Sequence, residues 1–293
     1  MAKTSTKNVV ITGCSSGFGN LAAKTLAKDG HRVFATMRDI RGRNAESARQ
    51  LSEWAKQQQV SIEVAELDVS DEASIETAVR GILSSVPCID VLVNNAGFVG
   101  LGALEAFTLD QVESLFDVNT FGPLRVNRAV LPSMRKNKSG LVIHISSGSG
   151  RFYMPFLGAY CAAKFALEAF SEAYAYELAP FGIDVIVIEP GGHRTEIQQK
   201  IMEPDPSQRT TDYAESKARI QDKMIAALRK EYDGPNAPKA QNVADTVKQM
   251  VDMPQGQRPF RTVVGRVATA GVDDLNRDYE KHKRSMLKSM GVG

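Results

Sequence analysis

Tyr160 and Lys164 stand four residues apart, a spacing that puts two side chains on one face of a helix. A phenol with a pKa of about 10 is a poor base at neutral pH. An ammonium beside it stabilises the phenolate and lowers that value towards the working range, so the pair is a candidate proton donor and acceptor. Alone, a ring and a cation at this spacing also describe an ordinary helix surface. A second chemistry is written in Thr12-Gly13-Cys14-Ser15-Ser16-Gly17-Phe18-Gly19, which follows an apolar β-branched run and precedes a helical pattern. Glycine at such a turn lets the backbone approach a pyrophosphate, and the amides and dipole of the next helix hold the anion. The plainer alternative is a tight β–α turn without a ligand.

Gly13-Cys14-Ser15-Ser16-Gly17 also satisfies G-x-S-x-G, the nucleophile elbow of hydrolases, with Ser15 as nucleophile. The oxyanion hole of that fold takes an amide from the loop of an earlier strand, and no strand precedes Asn8, so position argues against it. A dinucleotide site that selects NAD carries an acid about 20 residues past the glycines. Met37 and Arg38 occupy that place. A guanidinium favours the 2′-phosphate of NADP, and Arg41 and Arg43 add positive charge. Asp39 works against this reading, and a solvated basic loop is the bland alternative; the expectation is NADP(H) in preference to NAD(H).

These residues need a scaffold. In 293 residues, short β-branched runs alternate with longer amphipathic stretches. The runs are Asn8–Thr12, Arg32–Met37, Ser61–Leu67, Ile89–Asn94, Leu141–Ser146, Ile183–Glu189 and Arg261–Gly265. Crossover helices fit near 17–29, 43–58, 71–85, 108–136 and 158–180. Val91-Leu92-Val93 and Val185-Ile186-Val187-Ile188 are continuously apolar, as strands buried on both faces are. The fold class expected is α/β, a doubly wound Rossmann parallel sheet of about seven strands with helices on both faces, in one domain over residues 1–293. The pattern breaks after Pro190-Gly191-Gly192, where an insertion at about 193–240 reads as a substrate loop or lid. Helical periodicity returns near Asp212–Tyr232 and Asn242–Met253, and the charged tail from Asp273 reads as a solvated helix.

With 36 Lys+Arg against 34 Asp+Glu the net charge is +2, which gives no electrostatic case for nucleic acid or an anionic membrane. No stretch approaches the ~18 apolar residues of a spanning helix. Cys14, Cys88 and Cys161 build no disulfide framework. With His31, His144, His193 and His282 they form no metal motif. The first seven residues lack the apolar core of a signal peptide, so the expectation is a cytoplasmic, metal-free protein.

Taken together, Thr12-Gly13-x-x-x-Gly17-x-Gly19, Asn94-Asn95-Ala96-Gly97, Ser147, Tyr160-x-x-x-Lys164 and Pro190-Gly191 resemble the ordered signature of the short-chain dehydrogenase/reductase family over about residues 8–192 and the final strand. The segments Cys14–Gly19 and Phe34–Asp39 look most like its hydroxysteroid and retinol dehydrogenase branch. The resemblance implies hydride transfer between a nicotinamide and a carbonyl or alcohol carbon. It makes Tyr160 the acid/base, with Lys164 holding the nicotinamide ribose as well. Ser147 matches the serine that binds the substrate oxygen, with Ser146 as the fallback. Asn119 matches the helix asparagine that holds a water of the proton relay, against the alternative of a residue that caps or kinks its helix. For the cofactor it implies Gly13, Ser15, Ser16, Gly17, Phe18 and Gly19 at the phosphates, and Asn95, Ala96 and Gly97 at the border of the site. Asp68 and Val69 fall at the adenine, with a helix N-cap as the other reading of Asp68. Pro190, Gly191 and Thr195 fall at the carboxamide.

Phe98, Val99 and Leu101, with Phe152, Tyr153, Met154 and Phe156, are apolar candidates for pocket walls, which suggests a bulky hydrophobic small-molecule carbonyl or alcohol. Ile197, Ile201 and Met202 could close a lid. Phe165, Leu167, Phe170, Tyr174 and Leu178 widen the apolar surface of the helix at 158–180, and the resemblance implies a homodimer or homotetramer through it. A non-catalytic NADP-binding sensor or scaffold on the same fold is the rival reading.

Overall fold

The computed structural model describes residues 5–193, 201–232, 237–265 and 269–291. Among these, seven strands form one parallel sheet: β1 (Asn8–Ile11), β2 (Arg32–Met37), β3 (Ile62–Glu66), β4 (Val91–Asn94), β5 (Gly140–Ile145), β6 (Ile183–Pro190) and β7 (Arg261–Val264). Their order is β3-β2-β1-β4-β5-β6-β7, and every pairing is parallel. The doubly wound expectation is met.

The helices are α1 (Gly17–Lys28), α2 (Ala45–Gln58), α3 (Glu72–Ser85), α4 (Leu109–Phe116), α5 (Gly122–Asn137), α6 (Gly158–Leu178), α7 (Gln208–Asp212), α8 (Ala214–Tyr232), α9 (Gln241–Asp252) and α10 (Val272–Ser289). Alternate strand residues face opposite layers. Val9, Ile11, Leu141 and Ile143 pack with α1 and α9, while Val10 and Val142 pack with α3 and α5. The strand order reverses between β1 and β4, and at such a switch point the crevice beyond the strand ends is where ligands bind. No helix among the described residues is long and apolar enough to cross a membrane.

Two elements differ from the sequence reading. The helix expected over 108–136 is broken by a π-helical turn, Asp117–Phe121, between α4 and α5. The tail helix, α10, is not simply solvated. It buries Val272 and sends Asn276 to Glu189 of β6 at 2.6 Å. Part of the insertion is strapped to the segment after β4: the Met202 amide donates to Val99 O at 2.8 Å, and the Leu101 amide donates to Met202 O at 2.9 Å.

Candidate active site

The glycine turn lies at the switch point and is held by β4. Thr12 Oγ1 accepts from the amides of Asn95 (3.0 Å) and Ala96 (3.1 Å). The Asn95 side-chain amide donates back to Thr12 O (2.9 Å) and Gly13 O (3.1 Å). Gly13 has φ +73°, and a Cβ there would stand 2.8 Å from Ala96 Cα. A Cβ on Gly19 would meet Asn95 Nδ2 at 2.5 Å. Gly17 has φ +59°, the left-handed region that favours glycine. Ser16 is the N-cap of α1, whose first turn carries no acid, and Ser15 beside it is half-buried. A backbone cradle without Cβ atoms, at the positive end of a helix, fits a pyrophosphate. Cys14 points the other way, fully buried with its thiol on Ile11 O, and burial pushes its pKa up.

At the end of β2, Met37 is buried and Arg38 is exposed. Asp39, at φ +50°, folds its carboxylate onto the following turn, where Oδ2 accepts the Arg43 amide at 2.7 Å. The acid that complicated the cofactor reading is therefore engaged locally, and the Arg38 guanidinium is the charge presented at that corner, 4.0 Å from Asp68. Asp68 is not a helix cap. It accepts from the Ser70 amide and hydroxyl at 3.0 and 2.6 Å, and Asp71 caps α3 through the amides of Ala73 and Ser74. Val69 is buried against Gly122.

Ser147 follows β5 and caps a short 3-10 turn, Gly148–Gly150, by accepting the Ser149 amide at 3.1 Å. Tyr160 and Lys164 lie in the first two turns of α6, both buried, with Lys164 Nζ 5.9 Å from the centre of the Tyr160 ring. Burial pushes the Tyr160 phenol up to about 12, and a hydrogen bond with Ser147 draws it back. Burial pulls Lys164 down to about 8, opposed by Glu168. The Lys164 ammonium donates to Ile145 O at 3.0 Å, and burial is the largest influence on both members of the pair. Ser146 is not interchangeable with Ser147, since its hydroxyl donates to Glu168 at 2.8 Å.

Asn119 sits in the π-turn. Its amide donates to Leu115 O and Phe98 O, each at 3.0 Å, so the side chain satisfies a carbonyl of the preceding turn of helix. Its Oδ1 is buried and makes no hydrogen bond within the described residues. A Cβ on Gly97 would stand 2.6 Å from that oxygen and 3.8 Å from Lys164 Nζ, so both face the same backbone. Asn94 turns into the core instead, donating to Asn127 at 2.8 Å. Pro190 ends β6, and the Gly191 amide donates to Val264 O at 2.8 Å. The Gly191 carbonyl meets His193 Nδ1 at 2.8 Å, and the His193 ring packs edge-on to Phe18, with centroids 5.4 Å apart. Thr195 and Ile197 lie outside the described residues.

A cleft of about 680 Å³ opens between three segments, lined by Leu104, Tyr153, Phe156 and Ile220 among others, with Glu105 and Tyr213 at its polar side. The Tyr213 hydroxyl donates to Glu105 at 2.9 Å. The three segments are the ones expected, and Tyr153 and Phe156 line the cleft, but Phe98, Val99, Leu101, Phe152, Met154, Ile201 and Met202 do not; Leu104, Glu105, Tyr213 and Ile220 stand in their place. Glu168, Arg261 and Glu189, buried behind Ser146, were not singled out from sequence; the signal was there in the repeat of the Tyr160-to-Lys164 interval from Lys164 to Glu168. Asp29, His31 and Asp252 form the one cluster among the described residues with metal-like spacing. The Lys248 ammonium already pairs with both aspartates, and His31 Nδ1 accepts the Lys7 amide, which leaves the proton on Nε2. That cluster is an ion-pair network.

Residues 7–206 match the family described as short chain dehydrogenase. The chain is 41% identical over 199 residues to human (Homo sapiens) 17-beta-hydroxysteroid dehydrogenase type 1, covering 66% of this chain and 59% of that one. It is 35% identical over 263 residues to human retinol dehydrogenase 8, covering 86% and 79%. A solved short-chain dehydrogenase from Streptomyces avermitilis superposes with a TM-score of 0.74 at 30% identity, covering 97% of this chain and 96% of that one. The chain's matches span about two thirds of the length of the first curated relatives.

Proposed function

The chain belongs to the short-chain dehydrogenase family, in its hydroxysteroid and retinol dehydrogenase-like branch, and from that premise we propose that it is an NADP(H)-dependent oxidoreductase acting on a carbonyl or alcohol of a bulky apolar small molecule. The observation that carries this reading is the placing of Tyr160, hydrogen-bonded to Ser147 and one helical turn from Lys164, which faces Gly97 in the segment that packs against the glycine cradle.

The nicotinamide, when bound, supplies or accepts the hydride. The chain's own residues do the rest. Gly13, Gly17 and Gly19 let the backbone and the α1 N-terminus take the phosphates, with Ser15, Ser16 and Phe18 in the same turn. Arg38 takes the 2′-phosphate, which is why NADP(H) is preferred. Asp68 and Val69 border the adenine; Asn95, Ala96, Gly97, Pro190 and Gly191 wall the nicotinamide side, with Thr195 assigned by family pattern. Ser147 donates to the substrate oxygen, and Tyr160 gives that oxygen its proton in reduction or removes it in oxidation. Lys164 holds the ribose and supplies positive charge behind the phenol. Asn119 Oδ1, the buried acceptor facing Lys164, holds the next donor of the relay.

An apolar cleft whose wall includes Tyr153, Phe156 and Gly158, the last lying two residues before Tyr160 in α6 and none of them catalytic, supports a bulky substrate reaching the centre from that side. Of the apolar face expected on α6, Leu167 and Leu178 are buried within the subunit and Tyr174 packs on its core, which leaves Phe165 and Phe170, with Tyr176, half-exposed to support a homodimer or homotetramer through that helix. Light scattering that gives the 31.9 kDa monomer mass would remove the oligomer from this reading. The function is tested by NADPH oxidation against ketones, aldehydes and steroid-like carbonyls, with wild type and Tyr160→Phe side by side. Turnover lost in the variant is the expected result; turnover that survives it sinks the mechanism.

A further inference from the structure

Behind the Tyr160–Lys164 pair lies a set of buried charges that the chemistry above does not use. Glu168 follows Lys164 by four residues and so continues the same face of α6. It is 2% exposed. Ser146 Oγ donates to its Oε1 at 2.8 Å, and Arg261 Nε of β7 donates to Oε2 at 2.9 Å. Gly150 closes over this contact: a Cβ there would stand 2.6 Å from Glu168 Oε1 and 2.7 Å from Ser146 Oγ. The 3-10 turn that Ser147 caps is therefore seated on the Glu168 carboxylate.

Every neighbouring element brings a polar or charged group to this place. The turn after β5 brings Arg151, 4.0 Å from Glu168, and β6 brings Glu189, 3.5 Å from Arg261. The next turn of α6 brings Glu172, which binds Arg261 at 3.0 Å and takes donors from Tyr279 and Lys283 of α10. Asn276 of α10 donates to Glu189. From β5, His144 faces Lys164 but is held neutral, because burial and that ammonium pull its pKa down to about 3. Burial and the Glu168 charge push Glu189 up to about 8, so near neutral pH Glu189 keeps its proton. Burial pushes Glu168 up as well, but the Arg261 and Arg151 guanidiniums and the Ser146 donor oppose it, so of the two carboxyls Glu168 is the one that carries the negative charge, and it is the group that opposes the effect of burial on Lys164.

We propose that Glu168 is a positioning residue of the Tyr160–Lys164 centre: through Ser146 it seats the turn that presents Ser147, and from one helical turn away it supplies the counter-charge to the Lys164 ammonium. The proposal rests on the functional reading above, and its test separates the two.

The full-length variants Glu168→Gln, Glu168→Asp and Ser146→Ala are compared with wild type. Lys164 is titrated without any reaction, by NMR of [13Cε]lysine-labelled protein, its resonance assigned by loss in Lys164→Arg. In Glu168→Gln the midpoint falls from about 8 to about 7 or lower, because a nearby opposite charge is removed. Glu168→Asp, which keeps the charge, restores it. In turnover the alkaline limb of Glu168→Gln moves to lower pH by the same amount. Ser146→Ala leaves the limb in place and lowers kcat about tenfold, the worth of one hydrogen bond to a charged group. A folded Glu168→Gln protein with the wild-type midpoint overturns the proposal. Should that variant not fold, Ser146→Ala decides, and an unchanged kcat overturns it. Activity surviving in Tyr160→Phe condemns the functional reading instead, while the NMR midpoint still judges Glu168.

Discussion

Ser146 and Ser147 are adjacent in the chain and serve opposite layers of the site. The Ser147 hydroxyl is hydrogen-bonded with the Tyr160 phenol, while the Ser146 hydroxyl donates to the Glu168 carboxylate at 2.8 Å. Successive residues of extended backbone point to opposite sides, and Ser147, with φ −169° and ψ 157°, continues β5 far enough for that rule to hold. On the proposed reading one serine meets the reacting oxygen, while its neighbour anchors the turn.

Ser147→Ala therefore removes a donor from the place where negative charge develops on the substrate oxygen. The expected loss in kcat is about 10²–10³-fold, the range for one oxyanion donor. Steady-state kinetics at saturating cofactor measure it, and a loss under threefold would contradict the role.

Gly19→Ala places a methyl group 2.5 Å from Asn95 Nδ2 and 2.6 Å from Gly13 O, inside the clamp between β1 and β4. Cofactor affinity, read by quenching of protein fluorescence or by calorimetry, drops by more than about tenfold, or 1.4 kcal/mol. Undiminished affinity would mean that the phosphates bind elsewhere.

Arg38→Asp exchanges the exposed guanidinium at the end of β2 for a carboxylate. The kcat/KM with NADPH falls about 10–100-fold, as hydrogen bonds to charged groups are worth about 1.5–3 kcal/mol. The value with NADH holds or rises. An unchanged NADPH-to-NADH ratio would count against the 2′-phosphate site.

Lys164 gives two pH dependences of opposite sense. Activity declines as pH rises through about 8, because the folded protein loses the ammonium there. Folding stability gains over the same interval: above about 8 the folded chain has released a proton that the unfolded chain keeps until its usual 10.5. The unfolded state then binds more protons, so stability rises with pH, by at most about 1.4 kcal/mol per pH unit. Glu189, raised to about 8, acts in the opposite sense in both proteins, so urea melts from pH 7.5 to 9.5 should show wild type gaining stability relative to Lys164→Met; parallel curves would reject it.

Much of the fold was legible because a parallel sheet covered on both faces writes its strands as continuous apolar runs, and Val91–Val93 and Val185–Ile188 do so. The candidate centre was legible where the spacing itself is the chemistry, as with Tyr160 and Lys164. What escaped was local geometry with no compositional mark. Asp68 and Asp71 both precede α3, and side-chain direction alone made Asp71 the cap. The π-turn keeps the apolar period of a continuous helix on either side, so Leu115 and Val126 read as one face although the register changes between them. Glu168 and Arg261 were not singled out because their partners come from strands and helices far off in sequence. The fall of Lys164 to about 8 depends on burial, which no short motif records.

The π-turn at Asp117–Phe121 also works as a register adjuster. An α-helix advances about 100° per residue, and the wider turn holds one residue more than the regular spiral needs. Removing Thr120 would let α4 run into α5 as a straight rod, with all its backbone bonds regular. The same deletion would swing everything on one side of the joint by that angle relative to the other, parting the Asn119 side chain from either Leu115 or the Gly97 backbone it faces. The irregular spiral is thus a mechanical compromise, in which helical regularity is given up so that one amide side chain can be aimed.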